Sequence, residues 1–344
     1  MFYFLSRPRA SRAAINGIDV EVQPRETLLQ AALRQGIDFP HSCRVGGCAS
    51  CKCRLVEGRV RELTESGYIL SDAELDAGYI LACQSVPRGD VRIEVDLARQ
   101  QARRQVRGRV VAQERLTHDI SRLVIQLDDS LAYQAGQYAE LTLDSLPQQP
   151  RSFSFASPVQ ADGQVSFFIR RVPGGLFTGL VDEQPLLGQG VTVAGPLGDF
   201  HLRPGAAPLL LIAGGSGLAP LLAMLQDALV DGCKRPATLL FGAREERDLY
   251  ALDAIAAIAA QWRAPFRFVP VLSAAAVDAP WQGARGLVTT QIAVLLEPGA
   301  HAYLCGPPAM IDSAVPLLRA MGVSSEHIHA DRFTTCQDAR PVPA

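Results

Sequence analysis

The segment Ser42-Cys43-Arg44-Val45-Gly46-Gly47-Cys48-Ala49-Ser50-Cys51, followed downstream by Ala82-Cys83-Gln84, decides how the first hundred residues are read. Cys43, Cys48 and Cys51 stand at the spacing C-x4-C-x2-C, and Cys83 supplies a fourth sulfur. That spacing lets one compact loop present three thiolates to a [2Fe–2S] cluster while a distant cysteine completes the coordination. Gly46 and Gly47 lie inside the loop, where a backbone without Cβ atoms can bring its amides close to the cluster sulfurs. Structural zinc usually takes its cysteines in two close pairs, and Cys83 has no second cysteine beside it. Outward from this loop, residues 15–22 hold Asn16-Gly17 between alternating apolar positions, the mark of a type I′ hairpin. Residues 27–34 read as a short helix stopped at Gly36, and residues 91–95 alternate as a strand.

The whole chain has 344 residues, enough for two or three domains. Hydrophobic residues at 48% and charged residues at 20% suit globular domains with real cores. A net charge of −2 implies no large basic surface, which argues against a nucleic-acid partner. Met1–Leu5 is apolar, but no basic residue precedes it and Arg7 and Arg9 end the run, so no signal peptide is expected. Without one, the eight cysteines do not read as a disulfide framework. Cys53 is read as a buried apolar cysteine, and Cys233 as packing or surface. The most apolar stretch, residues 208–225, carries Gly214, Gly215, Gly217 and Pro220 in its middle. It therefore reads as strand, turn and helix rather than a membrane span. The expectation is a cytoplasmic chain with no transmembrane segment of its own, whose partner can still be membrane-bound.

Residues 98–105 are polar and basic and read as a linker. From 106 to 204, short strand patterns at 108–112, 123–127, 138–143, 165–171 and 191–194 are separated by turns, as in an antiparallel β-barrel. From 205 to 338 the pattern changes. Apolar strand runs at 209–213, 238–241, 266–272 and 300–304 alternate with helical stretches at 219–229 and 249–262, which predicts an α/β domain with a parallel sheet. Residues 339–344 are left as a tail.

Within the barrel region, Arg151-Ser152-Phe153-Ser154 resembles the R-x-Y-S motif of the ferredoxin–NADP reductase family. Its chemistry is legible: an arginine can pair with a pyrophosphate. An aromatic two residues later shares that face and can lie on a flavin ring. Ser154, on the alternate face, can offer its hydroxyl to the flavin N5. Phe153 replaces the usual tyrosine, which keeps the stacking and loses a phenol hydrogen bond. Phe168-Ile169-Arg170 and Gly174-Gly175-Leu176-Phe177-Thr178 resemble the family's second flavin segment, where amides at a helix start would hold the pyrophosphate. Gly195-Pro196-Leu197-Gly198-Asp199-Phe200 reads as a tight structural turn.

Gly214-Gly215-Ser216-Gly217-Leu218-Ala219-Pro220 follows a strand and opens a helix, a place where a pyrophosphate can approach the backbone. It departs from G-x-G-x-x-G and resembles the reductase family's own glycine-rich motif. Phe241-Gly242-Ala243-Arg244, then Asp248-Leu249-Tyr250, follow the second strand, where the adenosine end should lie. Arg244 is succeeded by Glu245 and Glu246, an acidity that favours NADH over NADPH. Cys305-Gly306-Pro307-Pro308-Ala309-Met310 resembles the family's C-G-P-P-x-M, whose cysteine lies by the nicotinamide. Ala330-Asp331-Arg332-Phe333 resembles its terminal aromatic segment, in which Phe333 would cover the flavin; Cys336 lies nearby without a firm role.

In order, these modules resemble the reductase components of bacterial oxygenases that carry an N-terminal plant-type ferredoxin, the xylene monooxygenase type most of all. The resemblance implies three folds: an α+β β-grasp ferredoxin over 1–97, an FAD-binding antiparallel barrel and an NAD-binding α/β domain. It implies FAD rather than FMN, catalytic roles for Cys305 and Ser154, and electron flow from NADH through FAD and [2Fe–2S] to a terminal oxygenase. It favours a membrane-bound diiron hydroxylase as partner over a Rieske oxygenase. Two other readings stay open: a reductase for a partner dehydratase in deoxysugar-type metabolism, and a non-enzymatic zinc-binding scaffold.

Overall fold

The computed structural model describes residues 10–41, 46, 50–64, 66, 70, 72–96, 104–275 and 280–333. The chain divides between residues 101 and 102 into two compact units.

The first unit opens with β1 (Ser11–Ile15) and β2 (Ile18–Val22), paired so that Ile15 faces Ile18 across a two-residue turn. Asn16 and Gly17 both take positive φ (48° and 85°), as a type I′ turn requires. Helix α1 (Leu28–Arg34) starts on a reciprocal cap: Gln30 N–H donates to Thr27 Oγ1 (3.2 Å), and Thr27 N–H donates to Gln30 Oε1 (3.0 Å). Thr27, read as the first helical residue, is thus the cap. Then follow β3 (Lys52–Glu57), β4 (Val60–Glu62), α2 (Asp72–Asp76), β5 (Tyr79–Leu81), β6 (Ser85–Pro87) and β7 (Val91–Glu94). The main sheet runs β2-β1-β7-β3-β5, with β1 parallel to β7 and the other pairs antiparallel. Leu28, Leu29, Ala31 and Ala32 of α1 are buried in one core with Ile15, Val20, Phe39, Ile93 and Cys53. One helix on a mixed sheet is the β-grasp arrangement.

The second unit begins with β8 (Arg104–Arg115), β9 (Ile120–Leu127), β10 (Tyr138–Leu143), β11 (Arg151–Ser154), β12 (Gln164–Arg170), α3 (Leu176–Glu183) and β13 (Gly190–Leu197). The antiparallel order is β11-β10-β13-β8-β9-β12, and a bridge between Phe155 and Phe167 joins its two ends into a barrel. β8 starts two residues inside the expected linker, because Arg104 and Gln105 already pair with Gly195 and Ala194. Leu123, Ile125, Leu141, Phe155, Phe167, Val191 and Val193 fill the interior.

The remainder alternates: β14 (Leu209–Gly214), α4 (Leu218–Val230), β15 (Ala237–Ala243), α5 (Leu252–Gln261), β16 (Phe266–Leu272), β17 (Ala284–Arg285), α6 (Ile292–Leu295), β18 (His301–Gly306), α7 (Pro308–Ala320) and β19 (Ile328–Arg332). The strands are parallel in the order β17-β16-β15-β14-β18-β19. β14 is buried from Leu209 to Ala213, as the apolar run requires of a strand covered on both faces. Strand order reverses between β14 and β18, and the crevice beyond their carboxyl ends is where such sheets bind ligands.

Barrel and parallel sheet share a hydrophobic cluster in which Ile120, Phe168 and Phe200 meet Leu221, Leu222, Phe241, Tyr250 and Cys305. Tyr250 stands edge-on to both Phe168 and Phe241, at 5.5 Å from each. Among the described residues, no helix is long and apolar enough to cross a membrane.

Candidate functional site

In the first unit, pairing of β3 with β5 sets Lys52 opposite Leu81. Just beyond that ladder, Cys51 meets Cys83 across 32 positions of sequence, and Cys83 N–H donates to Cys51 Sγ (3.4 Å). Both thiols are buried, at 3% and 4% exposure. Gly46 lies directly on Gln84: a Cβ there would come 2.7 Å from Gln84 Cγ, and its φ is +79°. Two converging sulfurs, an amide aimed at one of them, and a glycine with no room for a side chain fit a thiolate-held cluster. Cys43 and Cys48 lie outside the described residues, as does Cys336.

In the barrel, β11 is a short strand at one end of the sheet order, paired to β10. Arg151 is held in place by its neighbours, donating to Pro150 O (2.7 Å) and Gln149 Oε1 (2.9 Å). Ser152 is exposed and Phe153 half-buried, its ring 5.3 Å from that of Phe177. Ile169 and Phe177 are 1% exposed. Their side chains belong to the barrel interior, which leaves their backbone rather than their side chains for a ligand. Phe168 likewise is spent on Tyr250. Gly175 caps α3, and Thr178 Oγ1 accepts the Val172 N–H (3.0 Å), closing the loop between β12 and α3; Leu176 is exposed. Arg170 pairs with Asp119 (2.7 Å) and lies over the glycine-rich turn, where a Cβ on Gly215 would be 3.0 Å from its Nη1. It therefore stands at the junction of the flavin and nucleotide segments.

Gly215, Ser216 and Gly217 form a 3-10 turn that runs into α4, whose first turn has no acidic side chain. The backbone there offers a phosphate a place of close approach, although Leu218 N–H already donates to Gly215 O and Ser216 O and Pro220 has no N–H. The glycines serve a second need. A Cβ on Gly217 would sit 2.1 Å from Cys305 O, and one on Gly214 would meet Met310 Sδ (2.8 Å) and Pro307 Cδ (2.9 Å). The turn after β14 and the turn after β18 touch backbone to backbone, and Gly306 belongs to the same contact. Tyr250 donates its hydroxyl to Gly215 O (3.0 Å) and so fixes the turn from β15's side. Gly242 packs against Val288, Ala243 is buried, and Arg244 is exposed at the end of β15.

The two residues expected to flank the reacting atoms meet at a third. Ser154 Oγ donates to Asp331 Oδ2 (3.4 Å), and Cys305 Sγ approaches the same oxygen (3.9 Å). Parallel pairing of β18 with β19 sets Asp331 directly beside Cys305. Burial, and then the Asp331 charge, push the Cys305 thiol well above its ordinary value, so it stays protonated. Asp331 was not among the expected site residues. The available signal was an acidic residue inside the quoted terminal motif, two positions before Phe333. Phe333 N–H donates to Gly306 O (2.9 Å), which ties the terminal segment to the same turn.

Family models for a 2Fe-2S iron-sulfur cluster binding domain, an oxidoreductase FAD-binding domain and an oxidoreductase NAD-binding domain match residues 13–88, 107–202 and 211–315. The chain is 40% identical, over 92% of its length and 91% of the relative's, to the xylene/toluene monooxygenase electron transfer component of Pseudomonas putida. It is 38% identical, over 93% of its length and 92% of the relative's, to the reductase component of phenol 2-monooxygenase of Pseudomonas sp. strain CF600. Among solved structures it resembles the ferredoxin reductase in carbazole 1,9a-dioxygenase, with a TM-score of 0.68, 29% identity, and coverage of 95% of this chain and 99% of that one. With three cofactor domains in this order, and relatives matched over more than nine-tenths of their length, the chain belongs to the reductase components of multicomponent oxygenases, oxidoreductases that use NAD, FAD and a [2Fe–2S] cluster.

Proposed function

We propose that this chain takes hydride from NADH and passes single electrons to a membrane-bound diiron hydroxylase acting on an aromatic hydrocarbon. The observation that carries the reductase part is the convergence of Ser154, Asp331 and Cys305 at the switch point of the sheet, beside the short flavin strand β11. FAD bound there would supply the conversion of a two-electron donor into two one-electron deliveries. Arg151 and the start of α3 would hold its pyrophosphate, with Phe153 against its ring. The amides of residues 215–217 would hold the dinucleotide. Cys43, Cys48, Cys51 and Cys83 would hold the cluster. Ser154 and the protonated Cys305 position the reacting rings and exclude water between them.

NADH is favoured by the surroundings of Arg244. Glu245 and Glu246 follow it, and Glu245 also caps the next turn and pairs with Arg247 (3.0 Å). A ribose 2′-phosphate would meet that acidity. Likeness to a xylene/toluene monooxygenase component favours a monooxygenase as the partner and an aromatic hydrocarbon as its substrate.

Anaerobic titration of the purified protein with NADH, and separately with NADPH, tests the donor. Flavin bleaching by NADH followed by a rhombic [2Fe–2S] EPR signal is expected. Bleaching by NADPH alone would overturn the NADH assignment. Adding membranes that contain a diiron hydroxylase, a soluble Rieske oxygenase, or a dehydratase then separates the partners. Product formed only with one of the latter two would overturn the diiron assignment.

A further inference from the structure

We infer that the side-chain amide of Gln84 is a tuning donor to the cluster: one of its N–H groups raises the reduction potential by hydrogen-bonding the sulfur of the neighbouring ligand, Cys83. The inference rests on the reading of Cys83 as a cluster ligand.

Gln84 is only 8% exposed, so its amide has given up water and must be satisfied by protein. Nε2 donates to Cys83 O (3.0 Å) and reaches Cys83 Sγ (3.7 Å). A primary amide has two N–H groups, so both contacts can be made at once. Three further constraints keep the amide there. Leu63 N–H donates to Gln84 O (2.8 Å), which fastens the backbone. The stem lies under Gly46, where even a Cβ would be 2.7 Å from Cγ. Ser85, the next residue, is fully buried, and its hydroxyl donates to Leu81 O (2.9 Å). A long polar side chain is thus held in one place, with its donor end on a ligand sulfur.

The electrostatic consequence has a definite sign. Adding an electron to the cluster increases the negative charge carried by its thiolate sulfurs. A donor N–H at one of those sulfurs stabilises the reduced form more than the oxidised form, and burial strengthens the effect by lowering the local dielectric. Removing the donor should therefore lower the potential and make the cluster a poorer acceptor from the flavin. A purely space-filling Gln84 would leave the potential unchanged as long as its volume was kept.

The test uses the intact holoprotein and two variants, Gln84→Met, which keeps volume and loses the donor, and Gln84→Glu, which keeps shape and places an acceptor against the sulfur. The expected result is full iron content and an unchanged visible circular dichroism spectrum in both. The midpoint potential from an EPR-monitored redox titration should shift downward, and further for Glu than for Met. In stopped flow, bleaching of the flavin by NADH should keep its rate while cluster reduction slows. Midpoints equal to wild type at full iron content would overturn the inference. If either variant loses its iron, the decision passes to the wild-type protein labelled with 15N-glutamine. A glutamine-nitrogen coupling in the pulsed EPR spectrum of the reduced cluster supports the inference, and its absence overturns it. No cluster signal at all from iron-replete wild type would instead sink the ligand assignment.

Discussion

Asp331 gives the reaction site a common anchor: one carboxylate oxygen lies within reach of the Ser154 hydroxyl and the Cys305 thiol. Removing it frees two side chains whose placement matters to about an ångström, so Asp331→Ala should slow flavin reduction by NADH about 10- to 100-fold. Bound FAD should stay unchanged, which stopped-flow bleaching and flavin content together check. A second titratable group acts on stability. His329 stacks on Tyr303 (4.7 Å), and burial, then the charges of Arg203 and His301, push it from 6.5 to about 4, with Asp199 opposing and His201 adding to the shift. The unfolded chain takes up this proton first. The contribution to stability is therefore complete above pH 6.5, falls as pH drops, and is lost below about 4, by about 3 kcal/mol at most. Chemical denaturation of His329→Phe against wild type between those pH values should show a flatter profile in the variant. Cys51, Ser154 and Cys305 could be singled out because each sits in a motif local in sequence, and Cys83, 32 positions on, because a fourth sulfur was needed to complete that motif. The anchoring place of Asp331 and the hydroxyl bond of Tyr250 to the glycine-rich turn were not legible, since one comes from strand register 26 residues away and the other spans 35 residues.

The glycine-rich turn and the turn after β18 share a contact that leaves no space for a methyl group. Gly217→Ala would put a Cβ 2.1 Å from a carbonyl oxygen that cannot move freely, at a cost of about 1–3 kcal/mol. Thermal unfolding should show the loss, and the KM for NADH should rise as the turn is displaced. At the other end of the chain, Thr27→Ala removes half of the reciprocal cap of α1 and should cost about 1 kcal/mol, read from denaturant midpoints at constant m. Elements with chemical punctuation were readable in advance: the Asn16-Gly17 turn, and the strand, turn and helix that follow one another from 209. The start of β8 was not. Its polar, basic sequence looks like a linker, and only its ladder to β13 makes it a strand.

Each of the two compact units is closed on its own core, one built from residues of 13–95 and the other from residues of 106–305. Damage to the cluster should therefore leave the flavin unit working. Cys83→Ser is expected to keep NADH-dependent reduction of ferricyanide near the wild-type rate, while cytochrome c reduction through the cluster is lost. Parallel loss of both activities would show that the flavin unit depends on the cluster for its folding. The three-module order was evident in the sequence. The merging of the barrel and the parallel sheet into one unit was not, because Phe168 read as part of a flavin segment and Phe241 and Tyr250 as part of a nucleotide segment, and only the folded chain sets Tyr250 edge-on to both rings. That aromatic run has a consequence for how such proteins can be recombined. A chimera cut between β13 and β14 would force two halves of a shared core to find new partners, whereas one cut ahead of β8 would keep Phe168, Tyr250 and Phe241 together. Exchange of ferredoxins among these reductases should succeed far more often than exchange of nucleotide domains.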